Sequence, residues 1–151
     1  AASDVYKRQV GGGSRGLKMN IGEAAKKSGL SVKTVRFYSD IGLISPDKST
    51  ESNYRIYSNQ DVEKLLFVGK ARKFDFSIEE CRELLSLYEN KERPSSEVKK
   101  ITLKKIEEIE QRMSELNSLK TELKRVSRNC NGDQRPDCPI IGFLAETNSQ
   151  T

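Results

Sequence analysis

From Ser95 to Asn129 the chain contains neither proline nor glycine, and that run constrains the fold more than any other feature. With nothing to break it, the run predicts a single helix about 50 Å long at ~1.5 Å per residue. Positions 102, 106, 109, 113, 116, 120 and 123 follow one another in steps of four and three, and Ile106, Ile109, Met113, Leu116 and Leu123 occupy most of them. That spacing is the seam of a coiled coil, weakened at Thr102 and Lys120. With 151 residues in all, the chain has no domain large enough to bury so long a stripe. A second copy of the chain is the expected partner, with 95–129 as the dimerisation helix. A helix lying back on its own domain is the alternative.

The residues ahead of this run read as short helices and turns. Ile21, Ala24 and Ala25 share one face of a helix over 21–28, which Gly29 stops. Ser31 has the chemistry of an N-cap for a second helix over 32–41, with Val32, Val35 and Ile41 at helical spacing and Gly42 at its end. Two short helices joined by a glycine-containing turn form the helix-turn-helix pattern; Phe37 is expected in its core. Leu43 and Ile44 read as a short strand, 46–53 as a polar turn, and Tyr54 to Tyr57 as a second strand. Together these make a small hairpin, a wing. Ser58 with Asp61 opens a helix running to about Lys73. Ser77 and Glu80 form a capping box for another helix to about Asn90, and Pro94 breaks the chain. The expected fold is mainly α. A winged helix-turn-helix domain over 19–90 precedes the long helix over 95–129. A loop and short helix over 130–146 follow, then a tail over 147–151. Residues 1–18 show no periodicity and carry a Gly-Gly-Gly-Ser stretch; they are expected to be a non-native, disordered leader ahead of a start at Met19.

Charge and composition narrow the function. The net charge is +5. Within 19–74, ten Lys and Arg face six Asp and Glu, a local +4, so most of the excess sits where the helix-turn-helix lies. A phosphate-facing surface requires such a concentration, although an ordinary solvated surface also permits it. No run of 18 apolar residues is present, so no membrane span is expected. No secretory signal is visible either, which makes the cytoplasm the expected location. The chain has no histidine, no nucleophile–base pair and no glycine-rich phosphate loop, which argues against an enzyme. Its three cysteines are too few for a four-thiolate iron–sulfur cluster.

Two groups of residues carry the chemistry. On the second helix, Lys33, Thr34 and Arg36 set donors where a recognition helix meets base edges and phosphates, with Ser31 at its cap and Tyr38 beyond. On the wing, Tyr54, Arg55 and Tyr57 combine planar bodies with hydrogen-bonding tips suited to backbone contacts. Arg72 adds a cation on the third helix. The second group is Cys130 and Cys138, with seven residues between them, at the ends of one loop. Two thiolates so placed can ligate a soft metal, and a structural or disulfide role is equally open. Cys81, near Leu84 and Leu85, is expected as a buried small hydrophobe.

The segments IGEAAKKSGLSVKTVRFYSDIGLISP and YRIYSNQDVEKLLFVGKARKFDFSIEE, with the long helix, resemble the MerR family of transcription activators over residues 19–146. The resemblance implies a homodimer held by an antiparallel coiled coil and bound to double-stranded promoter DNA whose two recognition elements stand too far apart. It further implies that the effector-bound dimer bends and untwists the DNA so that RNA polymerase can use it. The Cys130-x7-Cys138 spacing and the Cys138-Pro139-Ile140-Ile141 segment resemble the copper-sensing members. That implies Cu(I), or Ag(I) or Au(I), as effector and Cys130 and Cys138 as ligands. Ser95 stands where members that sense divalent ions carry a third cysteine. Two thiolates satisfy a monovalent coinage ion, whereas Zn²⁺ takes four ligands. The helix beginning at Ser95 would offset the negative charge of such a site, with Lys99 assisting and Ile140, Ile141 and Phe143 covering it. Three positions depart from the family pattern. Ser52-Asn53 replaces Asn-Gly in the wing turn, Ser49 replaces an Arg, and Asp75 replaces a Gly. A sensor of another thiophilic ion or of an organic ligand, and an effector-independent DNA-bending protein, remain the alternatives.

Overall fold

Side-chain caps decide where the first four helices begin. The computed structural model describes residues 17–133, 136 and 138–146; most of the expected leader and the 147–151 tail lie outside these. Helix α1 spans Ile21–Ser28 and α2 Val32–Asp40. Asn20 accepts the Glu23 amide at 2.8 Å to start α1. Gly29 closes it at φ 73°, a conformation that costs an L side chain energy. Ser31 accepts the Thr34 amide at 3.0 Å and starts α2.

After α2 the chain differs from the expected strand. The amides of Leu43 and Ile44 both donate to the Tyr38 carbonyl, at 2.9 and 3.2 Å. They finish the helix end instead of pairing with a neighbour, and both side chains are buried. The wing begins later: β1 at Asp47–Lys48 and β2 at Arg55–Ile56, antiparallel, with Asp47 opposite Ile56 and Lys48 opposite Arg55. Tyr57 leaves the hairpin and exchanges two backbone hydrogen bonds with Met19, at 2.9 and 2.7 Å.

Helices α3 (Asn59–Lys73) and α4 (Ile78–Glu89) both start on capping boxes. Ser58 and Asp61 exchange bonds of 2.9 and 3.1 Å, and Ser77 and Glu80 bonds of 2.8 and 3.1 Å. Such a cap is worth about 1 kcal/mol, which is why the serines mark the helix starts so reliably. One hydrophobic cluster joins the four helices: Ala24 and Ala25 of α1, Val35 and Tyr38 of α2, Val62, Leu65 and Val68 of α3, Cys81 and Leu85 of α4. Gly69 lets α3 approach the turn between α1 and α2 closely, since a Cβ there would stand 3.2 Å from Leu30. Cys81 is fully buried, as the apolar side of its helix suggested.

The chain divides into two compact units, 1–99 and 100–151. Helix α5 spans Ser95–Arg128, 34 residues, and α6 spans Pro139–Ala145. In the second unit Ile106, Met113, Leu116 and Leu123 are exposed, as are Leu103 and Leu119 beside them, while Ile109 is half-buried. Among the described residues no helix is long and apolar enough to cross a membrane.

Candidate nucleic-acid interface and metal centre

The exposed side of α2 carries Lys33, Arg36, Phe37 and Asp40. The buried side carries Val35, Tyr38 and Ser39. Of the polar residues expected on DNA, Lys33 and Arg36 are therefore presented to solvent. Ser31 and Thr34 are engaged with each other through a 2.8 Å hydroxyl contact at the helix start. Tyr38 is only 6% exposed and belongs to the core, so its expected DNA contact is corrected. Phe37, expected in the core, is 49% exposed instead. The helix turns through about 100° per residue, and the packing of α1 and α3 selects Tyr38, not Phe37, as the inward ring.

The wing shows the same division. Tyr54 is 76% exposed, whereas Tyr57 is fully buried, with its hydroxyl 2.8 Å from Ser39 Oγ. Tyr57 is thus a core residue and not a DNA contact. Arg55 pairs with Asp40 at the end of α2, Nη2 to Oδ1 at 2.7 Å. That carboxylate, by its hydrogen bond above all, raises the guanidinium pKa above its ordinary value, while burial opposes the shift. Arg55 consequently ties the wing to α2. Arg72 is exposed and donates to the Phe76 carbonyl at 2.9 Å, closing the α3–α4 turn. Sequence reasoning missed Asp40, and it missed Arg82, whose guanidinium donates to the Ile41 carbonyl at 3.2 Å. A long-range pair across 41 positions leaves no local pattern to read.

In the second unit the thiols of Cys130 and Cys138 lie 3.9 Å apart, both half-buried. Cys138 precedes α6, with Pro139 in the first turn. The Ile141 amide, above all, holds the Cys138 thiol below its ordinary pKa; the Ile140 amide and the Cys130 thiol add to this, and burial opposes it. No side-chain cap bond closes at Cys138, so the amides act as nearby partial positive charges. No group of three His, Cys, Asp or Glu that could hold a metal occurs among the described residues. The donor set on hand is two thiols, one predisposed to ionise, which fits a soft monovalent ion. Cys130 and Cys138 would hold such an ion, which would supply a soft, thiophilic cation to the pair. The expected cover is incomplete, because α6 buries none of its residues and Ile141 and Leu144 are exposed. Ser95 and Lys99 are both exposed in the first turns of α5.

Comparison with known proteins gives this geometry a family. The family model described as "MerR HTH family regulatory protein" matches residues 19–87 and that described as "MerR, DNA binding" matches 62–126. The chain is 47% identical over 132 residues to the "Heavy metal-dependent transcription regulator 2" of Rhizobium meliloti (strain 1021), covering 87% of this chain and 90% of that protein. The chain belongs to the MerR family. It is 43% identical over 127 residues to the HTH-type transcriptional regulator CueR of Yersinia pestis, covering 84% of this chain and 91% of that one. Among solved structures it is similar to the transcription regulator PbrR691 from Ralstonia metallidurans CH34 in complex with lead(II). The TM-score is 0.71 and the identity 35%, over 84% of this chain and 99% of that one. MerR-family proteins are DNA-binding regulators, not enzymes, and the mainly helical fold with its long α5 is theirs.

The three departures from the MerR pattern are absorbed locally. Asn53 takes φ 60°, the left-handed conformation that Asn tolerates better than most residues, so the wing turn forms without glycine. Ser49 Oγ accepts the Glu51 and Ser52 amides at 3.3 and 3.4 Å, giving the position a turn-capping role. Asp75 holds φ 70°, the backbone that a glycine would adopt without cost.

Proposed function

We propose that this MerR-family chain is a metal-responsive transcription activator that senses Cu(I), or Ag(I) or Au(I), through Cys130 and Cys138. The observation that carries this reading is the pair of thiols 3.9 Å apart with no third metal donor beside them among the described residues. Two thiolates select soft ions and satisfy a monovalent one, while Zn²⁺ would be left two ligands short. The CueR and heavy-metal-dependent relatives support the reading.

The chain acts as a homodimer joined along the exposed row from Ile106 to Leu123 on α5. In an antiparallel pair the start of each α5 meets the thiol loop of the other subunit. Ser95 and Lys99 therefore serve across the dimer, where the partial positive charge of a helix N-terminus offsets an anionic dithiolate site. Lys33, Arg36 and Tyr54 meet promoter DNA, and the dimer distorts the spacer so that RNA polymerase engages it. A cytoplasmic location suits free thiols, which a reducing compartment preserves.

The test is Cu(I) binding in competition with a chelator, run in parallel with transcription from the promoter. Wild type takes up one ion per thiol pair and activates. Cys130→Ser and Cys138→Ser each lose activation while keeping DNA affinity. Equal activation by Zn²⁺, or activation that survives Cys138→Ser, overturns the proposal.

A further inference from the structure

We propose that Phe37 reads sequence directly, its ring meeting the C5 methyl of a thymine in the major groove. This rests on α2 being the recognition helix of a MerR-family regulator and goes beyond it in naming the base and the contact. Phe37 is 49% exposed while its neighbour Tyr38 is buried, so the ring is not spent on the core. It lies one helical turn after Lys33 and next to Arg36, both exposed, and residues four apart share a helix face.

The ring is also held. It packs against Tyr38 with centroids 5.9 Å apart and planes at 49°, and Tyr38 is itself fixed in the core. An apolar ring beside Lys33 and Arg36 has nothing to offer a phosphate. In the major groove the apolar feature that base edges present is the thymine methyl, and only A·T pairs carry it. Lys33 and Arg36 hold the backbone or donate to guanine, and Phe37 adds discrimination that neither cation supplies.

The test removes the methyl and the ring separately. Duplexes are selected from random-sequence DNA with the full-length wild-type chain. Each thymine of the selected site is then replaced by deoxyuridine, which deletes only the methyl group. Affinities are measured at fixed salt for wild type, Phe37→Ala and Phe37→Leu, with a scrambled duplex for non-specific binding and thermal melts for folding. One thymine per half-site should cost wild type about fourfold on replacement, the value of one buried methyl-sized group. That penalty should vanish in Phe37→Ala while non-specific affinity holds. If Phe37→Ala melts early, Phe37→Leu decides: a reduced penalty upholds the contact and an unchanged one overturns it. A uridine-insensitive wild type, or a penalty equal in all three proteins, overturns the proposal. A wild type that selects no DNA at all overturns the DNA-binding reading with it.

Discussion

Tyr54 and Tyr57 flank the same two wing residues, yet one is 76% exposed and the other fully buried. Their substitutions should separate cleanly. Tyr57→Phe removes a hydroxyl that meets Ser39 Oγ, while Ser39 keeps its 2.8 Å bond to the Val35 carbonyl. Denaturant unfolding should register a loss of about 1 kcal/mol, with operator affinity unchanged. Tyr54→Ala should weaken operator binding and leave the unfolding midpoint where it was. The thiols differ just as sharply. Cys138 has its pKa lowered by the amides of α6, and Cys81 is buried. Because the thiolate is the nucleophile, alkylation by iodoacetamide mapped by mass spectrometry should find Cys138 first at neutral pH. Its rate should fall only when pH drops below the ordinary thiol range, since a depressed pKa keeps the thiolate populated to lower pH. Labelling of Cys81 ahead of Cys138 in the folded protein would contradict the geometry.

At the scale of elements, α2 and the wing act as one unit through Arg55 and Asp40, 2.7 Å apart. Both are partly exposed, so their attraction is screened and contributes little to stability; its value is positional. Arg36→Ala should remove a phosphate contact, lowering the salt slope of operator binding by roughly one unit. Asp40→Ala should instead reduce affinity a few-fold with the slope unchanged, and Asp40→Glu should recover most of it. In a double-mutant cycle Asp40→Ala and Arg55→Ala should couple; additive losses would show that the two act separately. The helix boundaries behind this unit were legible in the residues, because Ser31, Ser58 and Ser77 act within three positions of themselves. Leu43 and Ile44 were misread as a strand because two adjacent apolar residues suit a strand and a buried helix exit equally well.

For the whole molecule the exposed row on α5 is decisive. Ile106, Met113, Leu116, Leu119 and Leu123 face solvent in the single chain, an extent of apolar surface that soluble monomers seldom expose. Replacing Ile109 and Leu116 together with Lys should give a monomer in sedimentation velocity and weaken operator binding strongly, since one half-site alone would remain. A dimer that persists in this double variant would place the interface elsewhere. The heptad spacing of this row, the capping serines, the glycine after α1 and the two-cysteine loop are properties of order along the chain. Their physics acts within a few residues, so the sequence by itself determined the helices, the unpartnered stripe and the soft donor set. Only the tertiary structure decided that Tyr38 and Tyr57 turn inward while Phe37 turns out, that Asp40 claims Arg55, and that the two sulfurs stand 3.9 Å apart. Each of these depends on the direction from which a distant element packs, and that direction is set by the collective burial of the core rather than by any local run of residues.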